Sequence, residues 1–478
     1  MIAGRIRELA KHSAIYGFGT LVSRFIAVLL LPVYTRYLSP EDYGLIETLI
    51  ALSTVLTVLL AAGVKSAFFR FYFDEPGDAA RRRVVRTSFW FTMTSATAGL
   101  LAGLVLAEPI SCLLFGALEH ANLVRAAFVG LWAAINYEQL TALFRVEQRS
   151  TSYLLATLVN LAVTVGATLV LVVALDAGPI GVIVGNFTGT LIVYAGLLAY
   201  RREQLGLEFD RGLFREMNRF GMPLVPSGLF LWVLNFSDRF FLVKLSGARE
   251  VGVYSVGVRV ASAIVLFLAA FRTAWPAFAY SIDDDAEAKR TYAFVLTYIV
   301  FATSWLALAV SALAPWLVRL LTQPEFYAAE RVVPPLAFAA VAFGAYIVVV
   351  IGIGRARRTR SNWVVTGVAA VVNVALNVAL IPPYGMMGAA VATIGAYATL
   401  FLGMAWKAQR VFTVPYQWRR VGVAAATAVA LTIVVRVFDL PLPAAIAIVV
   451  AYPLALLPLG FYLPEELRRL RLTTMPSG

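Results

Sequence analysis

The chain has 478 residues, of which 60% are hydrophobic and 14% charged, with a formal net charge of +13 and a mean hydropathy of +0.80. A soluble chain carries about a quarter charged residues, so this apolar excess marks an all-α polytopic membrane protein and excludes a soluble enzyme. The lone Cys112 excludes an internal disulfide and a multi-cysteine metal site, and two histidines, His12 and His120, argue against a histidine-based catalytic cluster.

A helix crossing the hydrocarbon needs about 20 mostly apolar residues. The stretches that qualify fall at 12–34, 44–64, 87–107, 121–144, 152–175, 179–200 and 217–243, then at 250–271, 291–313, 331–353, 362–381, 386–406, 419–437 and 441–462. Fourteen spans are therefore expected. The basic segment "MIAGRIRELAKHS" leads into the first. No small-residue cleavage site follows it, so it reads as the start of a retained helix. Only "VFDLP" separates the last two.

With the N-terminus inside, one set of connections is basic: "RRRVVR" from Arg81, "YRREQLGLEFDRGLFREMNR" from Tyr200, "RARRTR" from Arg355 and the "LRRLR" tail. This side holds about 29 of the 40 positive residues and the other about 8, while Arg24, Lys65 and Arg259 lie within the helices. The bias puts both termini in the cytoplasm. It makes anionic membrane lipids the expected partners of the charge, and nucleic acid a poor one, since the basic residues are split among short loops.

The chain also repeats itself. "SPEDYGLIETLIALSTVLTVLLAAG" around the second stretch resembles "GAREVGVYSVGVRVASAIVLFLAAF" around the eighth, about 208 residues later. "GPIGVIVGNFTGTLIVYAG" in the sixth resembles "YGMMGAAVATIGAYATLFLG" in the twelfth at nearly the same offset, and "EQRSTSY" and "RTRSNWV" enter the fifth and eleventh alike. Six spans return the chain to its starting side, so the halves are two parallel six-helix repeats around a central cavity. The expected division is 1–205, 206–410, and an addition at 411–478 carrying two further helices and a basic tail.

"TRYLSPEDYGL", "SDRFFLVKLSGAREVGVYSVGVRV" and "NVALNVALIPPYGMMGAAVATIGAY" resemble the polysaccharide transporters of the multidrug/oligosaccharidyl-lipid/polysaccharide (MOP) exporter superfamily. The likeness covers most of the chain, through diffuse motifs and no catalytic signature. It implies two six-helix lobes around a cavity that opens to either face in turn. It also implies movement of a glycan on polyprenyl pyrophosphate from the inner to the outer leaflet of a bacterial cytoplasmic membrane. Other polysaccharide-assembly proteins would be its partners. Some relatives that flip peptidoglycan precursors carry cavity arginines on helices 1, 2 and 8; here helices 1 and 8 have them and helix 2 offers only Lys65.

Arg24 and Arg259 are central to their stretches, more than about ten ångströms from either interface at 1.5 Å per residue. An arginine at that depth costs at least ~2.5–3.5 kcal/mol and normally faces a wet cavity or a partner. Ser13, Gly17, Thr20 and Arg24 form one stripe at helical spacing, and Gly252, Ser255, Arg259 and Ser262 form another. These arginines are the candidate pyrophosphate ligands; the alternative is a structural ion pair between helices. Glu138 has three readings: a pair with Arg24, a coupling proton site, or a bond to Arg145. Asn373 and Asn377 share one face, as do Asn160 and Thr164; such residues line a cavity or bond neighbouring helices. Asp238 and Arg239 read as an interfacial pair near the outer end of the seventh stretch, and Pro223 and Pro226 permit a bend there.

No "GxxxxGK[ST]", nucleophile elbow or metal-ligand spacing occurs, so no cofactor or metal is expected. A lipid-linked oligosaccharide flippase is the leading function. A drug, metabolite or peptidoglycan-precursor exporter of the same superfamily is second, and an outer-face glycan polymerase or ligase third, disfavoured by short outer connections. The charge bias can be tested with single cysteines in a Cys112→Ala background. Those at Ala79, Arg357 and Ser477 should resist impermeant thiol reagents added to intact cells, and one at Gly247 should label; labelling at Ala79 would reverse the orientation.

Overall fold

The structure is a computed structural model that describes residues 28–74, 77–358 and 362–466, with Val22 and Ile26 ahead of them. Every regular element among these residues is helical. Lipid imposes this, because a backbone that cannot bond to water must satisfy its own N–H and C=O groups.

The described chain opens on α1 (Leu31–Tyr37). Ser39 then builds a capping box: its Oγ accepts from the Asp42 N–H and the Asp42 carboxylate accepts from the Ser39 N–H, each at 3.1 Å. With Pro40 at the first helical position, this starts α2 (Pro40–Ala61). Ala62 (φ 45°) and Gly63 (φ 72°) end it. There follow α3 (Val64–Asp74), α4 (Asp78–Val105), α5 (Ala107–Phe115) and α6 (Ala121–Val146). Next come α7 (Ser150–Leu169), prolonged by a π-helical turn, α8 (Gly178–Leu205), α9 (Arg211–Gly221) and α10 (Val225–Leu245). The remainder comprises α11 (Ala248–Tyr280), α12 (Asp285–Ala312), α13 (Ala314–Leu321), α14 (Val333–Arg355), α15 (Asn362–Val411), α16 (Trp418–Val437) and α17 (Leu442–Ala455).

Ten helices among the described residues are long and apolar enough to cross a membrane. The fourteen expected spans map onto them as follows. The 50-residue α15 holds two, because Pro382, Pro383 and Gly385 (φ 51°, ψ −132°) break it. Its arms run back along each other: Lys407 Nζ donates to Asn362 Oδ1 at 2.5 Å, and a Cβ on Gly388 would lie 2.2 Å from the Leu380 carbonyl oxygen. The fourth span is the 26-residue α6, which is not among the ten and carries Asn136, Glu138 and Gln139 together. The last is only 14 residues of helix, α17, with Pro453 near its end. The first span lies mostly outside the described residues.

By packing, the chain divides into two compact units, Met1–Ser255 and Val256–Gly478. Unit 1 is built on an apolar core that includes Phe68, Phe89, Leu143, Tyr194 and Met217. In unit 2, α16 and α17 dock on α12 around Leu308, Ala428, Tyr452 and Phe461. The Tyr452 hydroxyl donates to the Ala424 carbonyl at 2.9 Å.

The sequence repeat has physical counterparts. Gly178 (φ 57°) and Gly385 (φ 51°) open equivalent helices in a backbone conformation that disfavours other residues. In unit 1, Gly44 and Gly252 let two helix starts meet backbone to backbone. A Cβ on Gly44 would lie 1.8 Å from the Ala248 carbonyl oxygen, and one on Gly252 would lie 1.9 Å from that of Pro40. Pro40 and Gly44 are the repeat equivalents of Ala248 and Gly252, so the crossing is reciprocal.

Beside it lies a buried ionic cluster. Arg239 of α10 is 5% exposed, Asp238 5%, Glu47 of α2 7% and Tyr254 of α11 1%. Arg239 Nη1 donates to Asp238 Oδ1 and to the Asn235 carbonyl, both at 3.1 Å. Its Nε stands 3.7 Å from Glu47 Oε2, and the guanidinium lies 5.3 Å from the Phe236 ring centroid. The Tyr254 hydroxyl donates to Asp238 Oδ2. The expected interfacial pair is thus corrected. Asp238 and Arg239 are buried and join three helices, because Glu47 and Tyr254 supply partners that an interface would have drawn from water. Among the described residues two carboxylates face one guanidinium. Removing the arginine takes a buried counter-charge from both acids, so Arg239→Ala is expected to destabilise by ~3–5 kcal/mol. Adding Glu47→Gln and Asp238→Asn should recover much of that loss. Thermal melts of the purified protein in detergent measure both, and an Arg239→Ala melt equal to wild type would show that the cluster contributes nothing.

Candidate functional site

In unit 1 the candidate site begins at the break between α2 and α3. Gly63 and Gly221 meet through their backbones: a Cβ on Gly63 would lie 2.1 Å from the Gly221 carbonyl oxygen. No side chain fits there, and the contact fixes the first turn of α3. That turn places Lys65 so that its Nζ lies 2.6 Å from Glu138 Oε2 of α6. The two side chains keep 42% and 49% of their exposure. A pair so open gains little from Coulomb attraction, and a charge on a span, as Glu138 is, stays open only where water or a polar ligand reaches it.

Glu138 is therefore bonded to Lys65. Of the three readings of Glu138, the bond to Arg145 does not form among the described residues. Arg145 turns to Tyr153, donating from Nη2 to the hydroxyl at 2.6 Å with its guanidinium 4.7 Å from the ring centroid. Tyr153 enters α7 one turn past the loop and offers both a π face and an acceptor, which outcompetes a carboxylate already paired. Thr141, on the same face as Glu138, returns its hydroxyl to the Tyr137 carbonyl at 2.9 Å. Lys65 and Glu138 are 73 residues apart, and no spacing in the sequence announces them as partners.

Arg24, Ser13 and Thr20 lie outside the described residues. Arg259 sits on α11, roughly 16 Å along the axis from Ala248 at 1.5 Å per residue, and is half-buried. Ser262, one turn on, donates its hydroxyl to the Arg259 carbonyl at 2.6 Å, while Ser255 is 1% exposed. The stripe expected on this helix thus has a buried end at Ser255 and a more open end at Arg259 and Ser262.

The asparagines are internal. Asn373 and Asn377 are 1% and 0% exposed, and Asn377 Nδ2 donates to Asn373 Oδ1 at 3.1 Å. In unit 1 the Thr164 hydroxyl donates to Asn160 Oδ1 at 3.2 Å and to the Asn186 carbonyl at 3.3 Å. Gly189 packs against this stripe so closely that a Cβ would lie 2.4 Å from the Asn160 carbonyl. The Asn160–Thr164 stripe stands where α7 meets α8, and the bond between Asn373 and Asn377 runs along the first arm of α15. Among the described residues no group of three or more His, Cys, Asp or Glu is placed to hold a metal ion.

The sequence profile of the family described as "Polysaccharide biosynthesis protein" matches residues 33–329. The chain is similar to the succinoglycan biosynthesis transport protein ExoT of Rhizobium meliloti, 25% identical over 282 residues, covering 58% of this chain and 54% of the relative. The match thus spans about half of that relative's length. The lipid III flippase of Escherichia coli is 24% identical over 427 residues, covering 82% of this chain and 96% of the relative. Among solved structures, the lipid II flippase MurJ in an inward closed conformation superposes with a TM-score of 0.75 at 13% identity, covering 93% of this chain and 97% of that one. An inward-facing multidrug resistance MATE family transporter of the MOP superfamily gives 0.68 at 15%, covering 82% and 98%. This chain is accordingly a multi-pass membrane protein with the MOP-superfamily fold, and it belongs to the polysaccharide biosynthesis protein family.

Proposed function

We propose that the protein is a flippase for a lipid-linked oligosaccharide, moving a glycan on polyprenyl pyrophosphate from the cytoplasmic to the outer leaflet of a bacterial cytoplasmic membrane by alternating access. The observation that carries the reading is the Lys65–Glu138 pair, half exposed where the fourth span meets the start of α3 in unit 1. A reachable carboxylate on a span, met by a lysine at the turn beyond α2, suits a hydrophilic cargo and would be costly in a helix bundle that only scaffolds other proteins. The family supports a role in polysaccharide biosynthesis, and the relatives named as a succinoglycan transport protein and a lipid III flippase support the cargo class.

In this reading Arg24 and Arg259 bind the pyrophosphate, because a guanidinium offers phosphate oxygens a planar, bidentate fork that stays charged. At helical spacing in the sequence Ser13 and Thr20 share a stripe with Arg24, and Ser262 with Arg259, as candidates to line the cavity. The Lys65–Glu138 pair can open and reclose as cargo passes, since an exposed pair costs about 1 kcal/mol or less to break. Both termini lie in the cytoplasm, and the driving force is an ion gradient, the membrane potential or the gradient of the cargo itself.

Glycan export by cells carrying single variants tests the assignment. Alanine at Arg24 or Arg259 should abolish export while the protein remains folded in the membrane. Lysine should restore it in part, and glutamine should fail nearly as badly as alanine. Normal flipping by both alanine variants would remove the arginines from the mechanism. Purified protein in liposomes should hydrolyse no ATP in response to the lipid-linked glycan; hydrolysis that rises with that substrate would replace the gradient-driven reading with a pump.

A further inference from the structure

Helix α9 connects the two repeats on the arginine-rich side of unit 1. Its apolar residues dock inward: Met217 is fully buried in the unit 1 core, and Leu213, Phe214 and Phe220 pack against it. At 100° per residue the opposite face carries Arg211, Arg215 and Arg219 in one stripe, all exposed. None of the three takes part in an ion pair or a side-chain hydrogen bond among the described residues. Of the acids nearest in sequence, Glu216 is exposed beside the stripe, and the two ahead of the helix are engaged. Asp210 caps α9 by accepting from the Leu213 N–H at 3.0 Å, and Glu208 pairs with Arg86 at 2.7 Å.

The segment before α9 is strapped to α4. Trp90 Nε1 donates to the Gly206 carbonyl at 2.7 Å, Arg86 Nε to the Gln204 carbonyl at 3.2 Å, and the Asp210 N–H to Thr87 Oγ1 at 3.2 Å. Between strap and helix is a cavity of about 410 Å³ lined by Trp90, Phe91, Thr94, Leu207, Glu208 and Phe209. With Glu208 neutralised by Arg86, its walls are almost wholly apolar. At its rim Leu207 is 93% exposed and Phe209 42%, which suits hydrocarbon as a neighbour.

We infer that this shoulder is a binding site for an anionic phospholipid of the cytoplasmic leaflet, with one acyl chain entering the cavity and the phosphate held on the α9 arginine stripe. Each component has a reason. A docked helix presents its charges without an ordering cost, and a juxtamembrane arginine attracts anionic headgroups. Arginines four residues apart along a helix stand about 6 Å apart in a row, so one of them meets this lipid's phosphate and its neighbours add to the attraction. The site is independent of the proposed cargo, and a lipid held here would bear on how α9 and the strap rest in the bilayer.

The test uses the full-length protein with Cys112→Ala and Leu207→Cys, labelled with bimane and reconstituted in phosphatidylcholine vesicles. Brominated-chain phosphatidylglycerol should quench the label several-fold more than brominated-chain phosphatidylcholine at the same mole fraction. Substituting Arg211, Arg215 and Arg219 by glutamine should lower that preference by roughly fivefold per arginine, whereas lysine at all three should keep it. Thr94→Trp, which narrows the cavity, should reduce quenching by phosphatidylglycerol in either arginine background. Unlabelled phosphatidylglycerol should relieve the quenching and inorganic phosphate should not. Equal quenching by the two brominated lipids in the parent protein, or a preference untouched by the glutamine variant, would overturn the site. Relief by polyprenyl monophosphate but not by phosphatidylglycerol would overturn the assignment to a leaflet phospholipid.

Discussion

Hydrocarbon cannot hydrate a charge, and this constraint sorts every polar residue in the spanning part of the chain. An ionised side chain there is sealed among partners or left where water reaches it. The cluster of Glu47, Asp238, Arg239 and Tyr254 shows the first solution: all four are at most 7% exposed and the arginine gathers its counter-charges from two helices. Lys65 and Glu138 show the second, joined at 2.6 Å yet nearly half open. The two arrangements differ in what they can do. A sealed cluster fixes helix positions and resists change, whereas an open pair can exchange its partner for a ligand at small cost.

The same solvent removes the hydrophobic drive for helices to associate, so contact depends on close approach. Glycine supplies it here at defined places. Gly44 and Gly252 permit a reciprocal crossing in unit 1, Gly63 against Gly221 sets the turn that presents Lys65, and Gly388 against Leu380 closes the α15 hairpin. Where a polar stripe accompanies the glycine, as with Asn160 and Thr164 or Asn373 and Asn377, the hydrogen bonds run along and between the packed arms.

Charge on the arginine-rich side follows a third rule, because water and headgroups are both within reach. There Arg201 is buried against Glu147 at 2.7 Å and over Phe144, Arg86 holds the strap, and the α9 stripe is left outward. One bias in composition thus serves orientation, packing and surface chemistry at once.

The sequence by itself determined the solvent, the fold class and the repeat. Each of these is a sum over many residues or a similarity over a long window, so errors at single positions cancel. Apolar length gave the spans, including the separate stretches on either side of the break at Gly385; the last of them is only 14 residues of helix. The capping box of Ser39 and Asp42 is local in sequence. Pairing was not legible. Glu47 and Arg239 are far apart in the chain, as are Lys65 and Glu138, and a charge in an apolar run shows only that some partner must exist. Which partner it takes depends on the helix rotation and depth set by glycine contacts such as Gly63 on Gly221. Asp238 and Arg239 were therefore visible as a pair but not as a buried one, because their burial is decided by Glu47 and Tyr254 on other helices. Only the tertiary structure could decide that, since burial belongs to the packed neighbours and not to the residue.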